Sequence, residues 1–242
     1  NKCVTLQLLW EEYCERNPGG FYSYNHYCRM YREWLKTTSP SMRQVHKAGE
    51  KLFVDYCGPT VGVTDPETGE IRTAQVIVAV LGASSYTWAE ATWSQQLEDW
   101  VMSHVRCFQW LGGVPELVVP DNLKSATSRA CKYDPDVNPT YQQMLEHYNV
   151  AVLPARPRKP KDKAKAEVGV QVVERWIMAR IRHEIFYSLA SLNQRIRELL
   201  ERLNNKIMQK LGYSRAELFI QLDKPALKPL PEASYSYTLV KK

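Results

Sequence analysis

Residues 74–81, Ala-Gln-Val-Ile-Val-Ala-Val-Leu, constrain the fold more than any other stretch. The run is nearly all apolar and rich in β-branched residues. That composition suits a strand covered on both faces, at the centre of a sheet with helices packed around it. Ser84-Ser-Tyr then makes a turn, and Thr87 to Trp93 reads as an edge-leaning strand. Upstream, Leu52-Phe53-Val54 is a short apolar run that ends at Asp55 and the small-residue turn Cys57-Gly58. Val61-Gly-Val-Thr leads into Asp65-Pro-Glu-Thr-Gly69, a turn signature. These segments predict three sequential strands in antiparallel order.

Gln95 to Leu111 carries a continuous helical stripe of Leu97, Trp100, Val101, His104, Val105, Phe108 and Leu111, closed by Gly112-Gly113. His104 falls on that apolar face, which argues for a core residue over a ligand. Glu116 to Val119 is a fourth strand that leads to Asp121, and a strand reached by a helical crossover pairs in parallel. Residues 122–137 read as loop, Thr140 to Tyr148 as a short helix and Ala151 to Pro154 as a fifth strand. Arg156 to Lys165 holds six basic residues and two prolines in ten positions, and predicts a mobile charged loop. A helix over Glu167 to about His183 follows, with Val170, Val173, Ile177 and Ile181 inward. A last helix is expected to open at Ser191-Leu-Asn-Gln194, a capping-box pattern, and to end at Gly212.

The flanks have a different character. Residues 4–16 and the stripe Tyr24, Tyr27, Cys28, Tyr31, Trp34, Leu35 predict two helices around Asn17-Pro-Gly-Gly20, with Arg29, Arg32 and Lys36 off the stripe. This resembles a helix-turn-helix, and a plain helical hairpin fits equally. The domain reading is a helical, helix-turn-helix-like DNA-binding segment over 1–38 and a linker over 39–50. An α/β core spans 51–188, a helical extension 189–222, and an extended linker 223–242, whose last run, Tyr235 to Val240, reads as the first strand of a further domain. The chain opens at Asn1 without a Met or a signal-peptide pattern, so it reads as a fragment.

Charge is unevenly spread. Residues 51–155 carry 6 Lys and Arg against 12 Asp and Glu, whereas residues 156–242 carry 19 against 9. An acidic middle beside a basic last third suits a cation site next to a polyanion surface. No apolar run approaches membrane-spanning length. The six cysteines form no CxxC pair and no zinc-type spacing with the five histidines, which points to reduced thiols in a cytoplasmic protein. A phosphate-cradling GxxxxGK loop, a Ser-His-Asp set and HExxH are all missing from the sequence.

Three acids stand out: Asp55 and Asp121 after apolar runs, and Glu167 at the opening of a helix, separated by 66 and 46 residues. Hard divalent cations prefer oxygen ligands and keep several waters, so three carboxylates can hold two Mg²⁺ ions, with Mn²⁺ able to substitute. Such a pair activates a water or 3′-hydroxyl for in-line phosphoryl displacement. Asp55 would bridge both ions, with Asp121 and Glu167 each completing one. Singly, each acid is also explained as a turn or helix-start residue.

Phe53-Val-Asp55-Tyr-Cys-Gly, Val119-Pro-Asp121-Asn122 and Lys161-Asp-Lys-Ala-Lys-Ala-Glu167 resemble the three DDE motifs of the retroviral-integrase-type catalytic core. The flanks Thr5-Leu-Gln-Leu-Leu-Trp-Glu-Glu-Tyr13, Pro40-Ser-Met-Arg-Gln44 and Val172-Val-Glu-Arg-Trp176 are similar to bacterial insertion-sequence transposases of the IstA type. The resemblance implies an RNase H-like α/β fold, a mixed five-stranded sheet flanked by helices. It further implies Mg²⁺-dependent nicking at transposon ends followed by strand transfer, an IstB-type AAA+ ATPase partner, a homo-oligomer on double-stranded DNA, and a nucleoid-associated location in bacteria. Asp55, Asp121 and Glu167 are the expected metal ligands. Lys124, Lys159, Lys161, Lys163, Lys165 and Gln171 are the expected DNA contacts, the lysines through phosphates. Two other readings remain open: a structure-selective nuclease of the same fold, and a non-catalytic DNA-binding protein.

Overall fold

The computed structural model describes residues 4–38, 45–120, 127–129, 136–153 and 160–237; of 36–38, 127–129, 136–137 and 160–164 it describes the backbone alone. The chain divides into two compact units, Asn1–Gln44 and Val45–Lys242. The first holds α1 (Leu6–Arg16) and α2 (Tyr24–Thr38). Thr5 caps α1 by accepting a hydrogen bond from the Leu8 N–H. Trp10 meets Phe21 and Tyr24 edge-on, Tyr13 stacks on Tyr27, and the Trp10 indole donates to the Tyr22 carbonyl.

The second unit is built on one mixed sheet. Its strands are β1 (Lys51–Tyr56), β2 (Val61–Thr64), β3 (Ile71–Leu81), β4 (Thr87–Thr92), β5 (Leu117–Pro120) and, after a separate small ribbon of β6 (Thr127–Arg129) with β7 (Asp136–Val137), β8 (Ala151–Val152). β3 is the hub: it pairs antiparallel with β1, β2 and β4. From Ala74 to Leu81 it is buried at every position but Gln75, as its composition requires. β1 then pairs in parallel with β5, and β5 in parallel with β8. The sheet thus has six described strands, one more than expected. The extra strand is β2, whose Val-Gly-Val-Thr is too short to announce itself and is held by pairing with the first half of β3.

Helices cover both faces. On one, α3 (Leu97–Leu111) and α4 (Pro139–His147) bury Trp100, Phe108, Tyr141, Met144 and Leu145 against Leu52, Val54 and Tyr56 of β1. Gly112 ends α3 at φ 68°, a left-handed position that favours glycine. On the other lie α5 (Pro160–Val173), a π-helical turn Glu174–Met178 that runs straight on into α6 (Ala179–Ile181), and α7 (Leu189–Asn205). Val173, Ile177, Ile181, Leu192, Ile196, Leu199 and Leu203 pack there on Val76, Val78 and Val80 of β3. α7 also closes the outer edge of β4. The Asn193 amide exchanges two hydrogen bonds with the Ala91 backbone, and the buried Asn204 amide does the same with Thr87. Two side chains thereby do what a neighbouring strand would do for an exposed edge.

Three local expectations change. The helix that carries Glu167 starts at Pro160, not at Glu167, because proline suits the first helical position and Lys and Ala propagate well. The charged stretch is therefore helical from Pro160 on. α7 is capped by Ser188, which accepts from the Ser191 N–H, so the cap lies three residues before Ser191; the true capping box is Ser214 with Glu217, ahead of α8 (Arg215–Leu218). Finally, residues 223–237, read as an extended linker, lie against the core. Buried Asp223 accepts from the Gly49 and Ser84 N–H groups, Lys228 exchanges backbone hydrogen bonds with Val114, and the Tyr235 N–H donates to the Tyr148 hydroxyl. No helix among the described residues is long and apolar enough to cross a membrane.

Candidate active site

Side chains alternate along β1. Leu52, Val54 and Tyr56 enter the α3 core, so Phe53 and Asp55 face the other way, toward α5. Asp55 is half-buried, and its Oδ1 accepts the Tyr56 N–H at 2.8 Å, which fixes the carboxylate at the strand end. The parallel register sets Phe53 opposite Val119 and Val54 opposite Pro120. The parallel pairing of β1 and β5 therefore stops at Val54 and Pro120, the residues just before Asp55 and Asp121 in the sequence. Asp121 itself lies outside the described residues, as do Lys124 and Lys159.

The third acid comes from α5. Ala166 is buried in a patch with Phe53 and Val119, so the helix crosses the sheet above the last turns of β1 and β5. Glu167, the next residue, is exposed. It sits about two turns inside α5, beyond the reach of the helix-terminal dipole, which removes the simplest structural reason for an acid there. Asp55 and the helix that carries Glu167 thus lie on one face of the sheet, with Ala166 of that helix on the Phe53–Val119 patch. Gln171 is exposed one turn further along α5, while for Lys161 and Lys163 only the helical backbone is described.

Lys165 behaves differently from the expected phosphate contact. It is half-buried and its ammonium donates to the Ser85 hydroxyl at 2.7 Å, tying α5 to the β3–β4 turn. Burial, helped by the nearby Arg215 guanidinium and opposed by Asp223, lowers its pKa below the ordinary lysine value. Ser85 adopts φ 60° in that turn. Glu174 holds the other end of the same face: its Oε1 accepts the Gly58 N–H at 3.1 Å, just past β1. Burial, reinforced by the charges of Glu174 and then Asp55, pushes the Cys57 thiol between them up to about 12, so this cysteine is no nucleophile. His46 packs edge-on to Phe53, its rings 5.4 Å apart, and burial together with the Lys165 and Lys51 ammonium groups lowers its pKa.

Sequence reasoning missed Ser85, Glu174 and Asp223 as supports of this face. Only the glycine inside a helix, Gly169, left a visible signal. Among the described residues no three His, Cys, Asp or Glu side chains form a metal-holding group. His104 is a core residue: its Nδ1 meets the Trp100 carbonyl at 2.8 Å and its Nε2 the Tyr141 hydroxyl at 3.2 Å.

Known proteins share both the sequence and the fold. Residues 45–160 match the sequence model of the family described as Integrase core domain. A candidate transposase of insertion sequence IS408 from Burkholderia multivorans is 52% identical over 242 residues, 100% of this chain and 47% of that protein. One of IS1162 from Pseudomonas fluorescens is 50% identical over 100% of this chain and 43% of its own length. The transposase of IS21 from Pseudomonas aeruginosa is 27% identical over 65% of this chain and 40% of its own length. The chain spans about half the length of the two relatives it matches end to end. Among solved structures, the simian T-cell lymphotropic virus intasome has a chain that superposes with a TM-score of 0.56 at 14% identity, over 82% of this chain and 63% of that one. The HTLV-2 integrase catalytic core solved with magnesium gives 0.52 at 11% identity, over 73% of this chain and 99% of that one. The chain is thus similar along its length to insertion-sequence transposases, and its second unit has the RNase H-like fold of retroviral integrase catalytic cores.

Proposed function

We propose that this chain is the catalytic core of an insertion-sequence DNA transposase, which nicks the 3′ ends of its element and joins them to target DNA. One observation carries the reading. The parallel register of β1 and β5 ends at Val54 and Pro120, each the residue before an acid, Asp55 and Asp121, while Ala166 seats the helix bearing Glu167 on the face of Phe53 and Val119. Asp121, two residues after Val119 in the sequence, would complete with Asp55 and Glu167 the hard oxygen set that suits Mg²⁺ or Mn²⁺. Two such ions, when bound, supply Lewis-acid stabilisation to the attacking and leaving oxygens of an in-line displacement.

The chain's own residues orient the reaction. Asp55, held by the Tyr56 N–H, and Glu167, held through its helix, present carboxylates whose positions do not depend on loops. In nicking, a water oxygen bonds to phosphorus, the bond to the 3′-oxygen breaks, and that oxygen leaves as a hydroxyl. In joining, the 3′-hydroxyl attacks a target phosphodiester and gives up its proton as the old 3′-oxygen leaves, so one ester replaces another without an energy source. Lys124, Lys159, Lys161 and Lys163 would hold phosphates, and Gln171 would meet the DNA one turn from Glu167. Lys165 braces α5 from below. The helices of residues 1–38 would add a DNA-binding surface. The assembly would be a homo-oligomer on transposon ends and target, working with an IstB-type AAA+ ATPase at the bacterial nucleoid.

The test is a crystal of the chain soaked in Mn²⁺. Anomalous density for two ions between Asp55, Asp121 and Glu167 is expected. Density at other carboxylates, or binding that survives Asp55→Asn unchanged, contradicts the assignment.

A further inference from the structure

Gly169 contradicts the helix it sits in. Glycine disfavours a helix interior because it has the most backbone freedom to lose, yet it stands two residues beyond Glu167 in α5. Backbone conformation does not call for it, since its φ lies outside the left-handed region. Packing does. Gly169 is buried, and a Cβ built there would overlap Val80 Cγ2 and stand 3.3 Å from Val80 Cβ. Val80 belongs to the central strand, opposite Phe53, and is 2% exposed. Its β-branched side chain is stiff and enclosed, so it has little room to turn away. The backbone of α5 therefore rests directly on β3 at this point.

The helix is also tied on either side of that contact, by Lys165 to Ser85 at one end and by Glu174 to the Gly58 N–H at the other. A methyl group at 169 could not be relieved by tilting one end without breaking a tie, so the helix would have to lift. Glu167 is only about 3 Å away along the helix axis and would lift with it.

We propose that Gly169 is the positioning residue of the site: by having no side chain, it sets the depth at which Glu167 faces Asp55. This rests on the transposase reading above. A two-ion site tolerates little spread between its carboxylates, so depth matters more for metal binding than for holding DNA.

The experiment compares the wild-type chain with Gly169→Ala, Val80→Ala and the double variant. It reads joining of pre-cleaved ends at saturating DNA, Mn²⁺ affinity by calorimetry, and DNA affinity. Gly169→Ala should slow joining by ~10²-fold, the penalty of a misplacement of about 1 Å, and should weaken Mn²⁺ binding while leaving DNA affinity unchanged. Val80→Ala in the same chain should restore both metal binding and joining, because it vacates the space the new methyl needs. If Gly169→Ala does not fold alone, the double variant carries the test and should match Val80→Ala in both readouts. Native Mn²⁺ affinity in Gly169→Ala, loss of DNA affinity in parallel, or a folded double variant that stays inactive would overturn the inference. A wild-type chain without metal-dependent joining would instead overturn the functional reading itself.

Discussion

The two faces of the sheet solve opposite problems. The α3 face is dry: Trp100, Phe108 and Tyr141 are fully buried, and even its histidine is absorbed into the packing. The α5 face buries a second apolar core under α7 and, at the strand ends, sets Asp55, Glu167, Glu174 and Lys165 around a small apolar patch, with hydrogen bonds from Glu174 and Lys165 and one close glycine contact. β1 serves both at once, with Leu52, Val54 and Tyr56 on one side and Phe53 and Asp55 on the other. A charged group can be fixed at the strand end because the opposite face supplies the burial that charged groups do not. Stability and chemistry should therefore be separable between the α3 core and the strand-end site.

The largest expected effect lies on the dry face. Phe108→Ala removes a fully buried ring between α3 and Tyr148 and should cost about 3–5 kcal/mol, read as a lower midpoint in urea with an unchanged slope. Substituting Lys165 by Met on the α5 face should cost far less by the same measurement. Comparable losses would mean that the two faces are not divided as described.

A somewhat smaller effect sharpens the contrast through pH. Burial lowers the His104 pKa to about 4, from an ordinary value near 6.5. The folded state thus binds fewer protons than the unfolded state between those values. The contribution is fully present above pH ~6.5 and is lost as pH falls toward ~4, in total on the order of 3 kcal/mol. His104→Gln should flatten the stability profile across that window, whatever it costs at neutral pH. A profile as steep as the wild type's would place the acid sensitivity on the carboxylates instead.

What could be read from the sequence follows the same division. The central strand announced itself through the nearly unbroken 74–81 run, which is covered on both faces, and the dry face through the α3 stripe and Gly112, because burial imposes a periodic apolar pattern. On the site face, the strand ends at Asp55 and before Asp121 were legible as apolar runs that stop at an acid. The rest was hidden for identifiable reasons. β2 is too short to show a period, and the start of α5 at Pro160 was masked by charges that read as loop. Asn193, Asn204 and Asp223 act through side-chain bonds to backbone more than 100 residues away, which no local pattern encodes. The docking of 223–237 depends on the same long-range contacts and on Leu227 against Gly113.

The most direct test of the central claim sets Glu167 against Glu174, two acids seven residues apart on the same run of helix. Glu174 bonds the Gly58 N–H, and a glutamine there keeps an acceptor oxygen for that bond. Glu167→Gln keeps the shape but loses the charge that would hold a metal. Mg²⁺-dependent joining of pre-cleaved ends should nearly vanish in Glu167→Gln, with melting temperature and DNA affinity little changed, and should survive largely intact in Glu174→Gln. An active Glu167→Gln beside an inactive Glu174→Gln would place the third ligand two turns further along the helix and contradict the site as assigned.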